Sequence, residues 1–231
     1  MSCLAIIPAR GGSKRIPRKN IKDFLGKPII SYSIEAAIKS NLFEEIMVST
    51  EDEEIANIAR TYGAQVPFLR SENNADDNAS TFEVLKEVIM VYNEIKKRQF
   101  DSICCIYPCA PLIDPKNLNL AFERMRKENL DSVFPVIPFD FPIQKAIILQ
   151  DSKPSLLFSQ HFDARSQDLE KTFHDAGQFY FLKTQKILRN EKGIGNRTGV
   201  IKLTLLEAQD IDNEIDWKIA EIKYGIIQNT Y

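Results

Sequence analysis

Residues 4–27, LAIIPARGGSKRIPRKNIKDFLGK, decide the fold. Leu4–Ile7 reads as a short apolar strand that runs directly into a glycine-containing turn. That turn carries five cations within ten residues: Arg10, Lys14, Arg15, Arg18 and Lys19. Gly11 and Gly12 let the backbone turn so that N–H groups face an anion, while the cations offset its charge. Strand, basic turn and a helix signal from Pro28 together predict a triphosphate cradle at the end of a sheet strand. A solvated basic loop is the competing interpretation of the same residues.

The rest of the first half repeats the alternation. Pro28–Lys39 has apolar residues at helical spacing, Glu45–Thr50 is a strand, and Asp52–Tyr62 is a helix, acidic at its start and stopped by Gly63. Gln65–Leu69 reads as another short strand and Thr81–Ile95 as an amphipathic helix capped by Ser80 or Thr81. Asp101–Tyr107 is almost wholly apolar, as a central strand covered on both faces would be. Pro115–Glu128 is a helix capped by Asp114. This rhythm predicts an α/β protein with a mostly parallel sheet and helices on both faces. Ligands in such folds gather beyond the carboxyl ends of the strands. The basic loop, Ser49–Thr50, Asp76–Thr81 and Tyr107–Pro111 all fall there.

From about 135 to about 173 the rhythm breaks. Val133–Phe141 and Ala146–Phe158 look like hairpin elements, and Phe139, Phe141, Phe158, Phe162 and Phe173 need covering, either by a partner subunit or by the main domain. Gln178–Leu182 reads as a strand, Thr184–Leu188 as a short helix, Val200–Leu205 as a last strand and Ile215–Tyr224 as a closing helix.

Composition bounds the function. The 231 residues are 44% hydrophobic and 27% charged, which describes one folded soluble core. A net charge of −2 sets the basic loop against a mildly acidic whole, favouring a compact anionic ligand over a nucleic acid polymer. No secretory signal and no membrane span is visible, and Cys3, Cys104, Cys105 and Cys109 lack zinc-site spacing, so a reducing, cytoplasmic location is expected.

Three constellations carry chemistry. The basic loop matches neither G-x-x-x-x-G-K-[ST] nor G-x-G-x-x-G, which leaves an ATPase P-loop and a dinucleotide site unsupported. Its cations suit a nucleoside triphosphate whose α-phosphorus is attacked and whose pyrophosphate leaves. Asp210-Ile211-Asp212 aims two carboxylates to one side of an extended segment, an arrangement suited to magnesium, or else forms a solvated acidic turn. His174 to Tyr180 includes Gly177, which permits close approach, and Gln178, whose amide can serve hydroxyl or acetamido groups; it can equally be a turn into a core strand. His161 and His174 are available acid–base groups. No serine–histidine–acid or cysteine–histidine arrangement is supported by spacing, and a nucleophilic role for Cys109 is disfavoured.

AIIPARGGSKRIPRKNI resembles the signature of the acylneuraminate cytidylyltransferases, and IMVSTEDEEIA, FLRSENNADDNAST, YPCAPLI and AQDIDNEIDW extend the likeness over nearly the whole chain. FHDAGQFYF is most similar to the branch that activates pseudaminic acid. The resemblance implies a Rossmann-like nucleotidyltransferase domain over 1–231 with an inserted dimerisation subdomain at about 135–173, working as a homodimer with magnesium on CTP and a nonulosonic acid. It implies nucleotide binding by Ala9, Arg10, Gly11, Gly12, Ser13, Lys14, Asn20, Arg70, Asn78 and Ser80. Sugar contacts fall to Tyr107, Gln178 and Tyr180, and metal binding to Asp210 and Asp212. The catalytic charges are then Arg10, Lys14, Lys19 and Asp212. Tyr107-Pro108-Cys109 and Ala176-Gly177-Gln178 depart from the pattern of sialic acid enzymes where the sugar should lie. Legionaminic and N-acetylneuraminic acids are the alternative substrates, and a noncatalytic nucleotide-binding regulator is the alternative class.

Overall fold

The computed structural model describes residues 1–75, 79–191 and 194–230. Its elements in chain order are β1 (Cys3–Pro8), α1 (Ile30–Ser40), β2 (Glu45–Ser49), α2 (Glu53–Thr61), α3 (Thr81–Glu94), β3 (Ser102–Ile106) and α4 (Pro115–Lys127). There follow β4 (Ser132–Pro138), β5 (Ile147–Gln150), β6 (Lys153–Leu156), β7 (Phe173–Asp175), β8 (Phe179–Lys183), α5 (Thr184–Leu188), β9 (Thr198–Lys202) and α6 (Glu214–Thr230). The main sheet runs β9-β4-β8-β3-β1-β2, with β7 added to β4. β2, β1 and β3 are mutually parallel, as are β4 and β9, whereas β8 is inserted antiparallel between β3 and β4.

Side-chain alternation builds the two faces. On β1, Cys3, Ala5 and Ile7 pack with apolar residues of α1, α2 and α4, while Leu4 and Ile6 pack with those of α3 and α5. On β3, Cys104 goes to the first face and Cys105 to the second, as adjacent strand residues must. All five residues of β3 are buried, which is why its run has no polar alternation. Helix ends follow their local signals. Ser80 and Glu83 form a capping box on α3, Asp114 accepts from the Lys116 N–H ahead of α4, and Gly63 ends α2 with φ +93°.

Two expected elements differ. Gln65–Leu69 contributes one parallel bridge, Gln65 opposite Met47, and then stops because Pro67 lacks the next donor. Val133–Phe141 is not a hairpin arm; Ser132–Pro138 is a strand of the main sheet with Val133 and Ile137 in the core. Pro135 is tolerated there because β8 pairs with β4 at 132–133 and β7 at 136–138, leaving Pro135 at the junction between them. The true hairpin is β5–β6, whose strand β5 is exposed along its whole length.

A third apolar cluster fixes the site. Ile16 of the basic loop and Ile211 of the acidic segment are buried together with Phe24, Ile29, Tyr32, Trp217 and Ala220. Burying each isoleucine costs no charge and turns the flanking charged residues outward.

Candidate active site

A cleft of about 690 Å³ opens where β1, β2 and β3 end. Because β8 is antiparallel, the residues before it, Ala176 and Gly177, arrive at this same edge. The cleft is lined by Arg10, Ser13, Lys14, Arg15, Lys19 and Asn20 from the basic loop, by Arg70, by Tyr107 and Cys109, and by Gly177, Asp210 and Asp212. The cations and the carboxylate pair, almost 200 residues apart in sequence, therefore share one space.

The loop is held by its own polar groups. Asn20 is buried, its Nδ2 donating to the Arg10 carbonyl at 2.8 Å while its Oδ1 accepts from the Cys109 thiol at 3.2 Å. Burial pushes that thiol up to about 12, with Lys19 opposing and Asp210 adding to the shift, so Cys109 stays a protonated donor and not a nucleophile. Lys19 Nζ donates to the Ile211 carbonyl at 2.8 Å and so ties the basic loop to the acidic segment. Arg15 pairs with Asp212 at 2.7 Å.

Arg70 is buried in the cleft wall. Its Nε donates to Ser49 Oγ at 3.1 Å, a second donor reaches the Ser49 carbonyl, and Nη1 lies 3.9 Å from Glu51. Burial pulls its pKa down, and Glu51 and Glu87 partly restore it. Asp210 moves the other way: burial first, and the Asp212 carboxylate second, raise it above the usual aspartate range. Two carboxylates lining one cleft with Arg15 and Lys19 fit a hard divalent ion. Magnesium is commonly held by one or two carboxylates together with substrate phosphates and water, which matches this donor set.

Several expected residues sit elsewhere. The Gly11 N–H is donated to Glu51 Oε1 at 2.7 Å, and a Cβ on Gly11 would come within 2.5 Å of Asp52. Ala9, Gly11 and Gly12 thus form the loop behind the lining side chains. Arg18, one of the five cations, leaves the cradle to pair with Asp52 and Glu54 on α2. Ser80 serves as the α3 cap, its neighbours Ala79 and Thr81 lining the cleft, and Asn78 lies outside the described residues. Gln178 is buried, with Nε2 donating to the Glu207 carbonyl at 2.6 Å and Oε1 unpaired. Neither His161 nor His174 lines the cleft. Arg15, counted among the cations of the turn but given no role of its own, pairs with Asp212, and Cys109, disfavoured as a nucleophile, enters the site as a donor to Asn20.

Tyr107 and Tyr180 connect the cleft to a second space. Their rings are 5.3 Å apart, and Tyr180 donates to Asp175 Oδ2 at 2.9 Å. Tyr107 lines the cleft, whereas Tyr180 lines a neighbouring chamber of about 470 Å³ whose walls include Phe134, Val136, Phe173 and Val200. A charged groove for phosphates beside an apolar chamber with tyrosine hydroxyls can accommodate a nucleotide and a second, partly apolar substrate.

Residues 4–213 match the family model described as cytidylyltransferase. The chain is 42% identical over 227 residues to a pseudaminic acid cytidylyltransferase of Campylobacter jejuni, covering 98% of this chain and 97% of that one. It is 34% identical to a CMP-N,N'-diacetyllegionaminic acid synthase of Legionella pneumophila, covering 96% and 95% of the two chains. In fold it is similar to a CMP:2-keto-3-deoxy-manno-octonic acid synthetase complexed with CTP, at a TM-score of 0.71 and 16% identity over 99% of this chain and 100% of that one.

Proposed function

The chain belongs to the cytidylyltransferase family, and on that premise we propose that it transfers CMP from CTP to pseudaminic acid and releases pyrophosphate. The observation that carries this is the convergence of Arg10, Lys14, Lys19, Asp210 and Asp212 on one cleft. The sugar's anomeric hydroxyl attacks the α-phosphorus, and the bond to the bridging oxygen of pyrophosphate breaks. Arg10, Lys14 and Lys19 hold the triphosphate and offset charge on the departing pyrophosphate. Arg70, rigid in its Ser49 and Glu51 contacts, orients the nucleoside end. Asp210 and Asp212 are the residues that would hold magnesium, which when bound supplies positive charge at the reacting phosphate. Tyr107 and Tyr180 face the sugar, and the apolar chamber beside them suits its N-acyl and deoxy carbons. No protein nucleophile is needed.

A homodimer is part of the same proposal. Phe173 joins the main sheet through β7 and Phe158 is half-buried, whereas Phe141, Ile147, Leu149 and Phe162 are 73%, 61%, 70% and 65% exposed, and a second copy of this chain is the cover we assign to these four. The four free cysteines support a reducing, cytoplasmic setting, and among the described residues no helix is long and apolar enough to cross a membrane.

The test is pyrophosphate release from CTP with pseudaminic, legionaminic and N-acetylneuraminic acids in parallel, with and without magnesium. Fastest turnover with pseudaminic acid is expected, and no release with any of the three would refute the proposal. Asp212→Asn is expected to lower turnover by about 10²-fold or more with an unchanged melting temperature; full magnesium-dependent turnover in that variant would remove Asp212 from the site.

A further inference from the structure

α6 is apolar on two opposite sides. Trp217 and Ala220 face inward and are buried, at 3% and 0% exposure. On the outer side Ile215, Ile219 and Ile222 are 70%, 38% and 63% exposed, and Ile226 continues the row at 47%. Their spacing of four, three and four residues places them in a single stripe along the solvent-facing side of the helix. One exposed isoleucine is ordinary; a straight row of four at coiled-coil spacing, on a helix already anchored through its other side, is an interaction surface.

We propose that this stripe pairs with the same stripe of a second copy of the chain, the two α6 helices running antiparallel. With Ile219 and Ile226 at the a positions and Ile215 and Ile222 at d, the flanking positions are Asp216 and Lys223 (e) and Lys218 and Gly225 (g). In an antiparallel pair e faces e and g faces g, which sets Asp216 against Lys223 of the second copy, twice by symmetry. Lys218 then meets Gly225, where a side chain would touch nothing within 4 Å and the second helix has room. A parallel pair would instead set Lys218 beside Lys223, like charges on both sides of the seam. The pattern therefore selects an isologous antiparallel contact. Asp216 and Lys223 also have internal partners, the N–H groups of Asp212 and Asn213 and the carbonyl of Ala208, but each keeps a carboxylate oxygen or ammonium protons for the seam. A two-helix seam of this length falls below the roughly 1,200–2,000 Å² of a standard stable interface, so the pairing is reversible and concentration-dependent.

This surface is separate from the excursion, and the test keeps the two apart. Light scattering over a concentration series is expected to show the Ile219→Lys/Ile222→Lys variant at half the mass of the native protein, with unchanged melting temperature and cytidylyl transfer. If the excursion pairs as proposed, the halving is from four chains to two; if it does not, from two to one, and a Leu149→Asp variant identifies which. An unchanged mass in the α6 variant overturns the proposal. Orientation is read by cysteine cross-linking: equimolar Ile215→Cys and Ile226→Cys should link, whereas Ile215→Cys alone should not. In the antiparallel pair two copies of residue 215 are about 16 Å apart, eleven residues at 1.5 Å each. A link formed by Ile215→Cys alone overturns the antiparallel register.

Discussion

Replacing Cys109 with valine removes the thiol donor and sets two methyl groups in its place, and Cys109→Ser is the control that keeps a donor. In the native chain the Arg10 carbonyl can only accept, which forces the Asn20 amide nitrogen toward it and the amide oxygen toward Cys109. Asn20 is 6% exposed, so water cannot readily replace the lost donor. An unsatisfied buried acceptor costs about 1–2 kcal/mol, a penalty the chain relieves by letting Asn20 swing and the Arg10 segment drift. That energy corresponds to about 5–30-fold in the population of aligned loop. Steady-state pyrophosphate release is therefore expected to show kcat/KM for CTP lowered by that factor, with a smaller change in KM for the sugar. Cys109→Ser, which keeps a donor, should recover most of the loss. Because burial holds the thiol at about 12, the deficit should not vary between about pH 6 and pH 9. Native kcat/KM in the valine variant, with an unchanged melting temperature, would refute the role assigned to this contact.

Two further substitutions test the acidic side of the cleft. Asp210 is raised above its ordinary value of 3.8 by burial and by Asp212, so the folded state binds its proton more tightly than the unfolded chain, and stability falls as pH rises through that window. Asp210→Asn in metal-free buffer should therefore raise the melting temperature near pH 7 and confer no gain near pH 3; equal shifts at both would contradict the assignment. Gly177 has φ +64° with Asp210 Cγ 3.5 Å from where a Cβ would sit. Gly177→Ala should cost about 1–2 kcal/mol from the left-handed backbone, lowering the melting temperature by about 2–8 °C; a melting curve identical to the native one would show that the backbone there can relax.

What the sequence made legible was local. The apolar run at Leu4–Ile7, the capping serine at 80, Asp114 before Pro115 and Gly63 each act within a few residues of themselves, and the structure follows them. The misses came from distant partners. Nothing near Phe179–Lys183 announces that it runs against its neighbours, since direction is set by where the excursion returns the chain. Val133–Phe141 read as a hairpin arm and not as a main-sheet strand because the junction that excuses the missing N–H of Pro135 is made by β7 and β8, some 40 residues on. In the site, Arg15 and Arg18 are indistinguishable by type, and Asp52 and Glu54 on α2 draw one away while Asp212 engages the other. The Gln178 amide pointed to a ligand on chemistry alone; in the structure its Nε2 donates to the Glu207 carbonyl and its Oε1 is unpaired. The acidic pair was readable because its alternation with Ile211 is itself a short-range pattern.

The packing of Ile16 against Ile211 and Trp217 has a bearing on how the molecule comes into being. During synthesis the basic turn leaves the ribosome almost 200 positions before the apolar residues that seat it. Domains begin to order from their leading end, but contacts this far apart in sequence form late. The emerging polypeptide therefore carries a loose, positively charged segment until Ile211 and Trp217 follow, and the turn is seated in the same event that buries them.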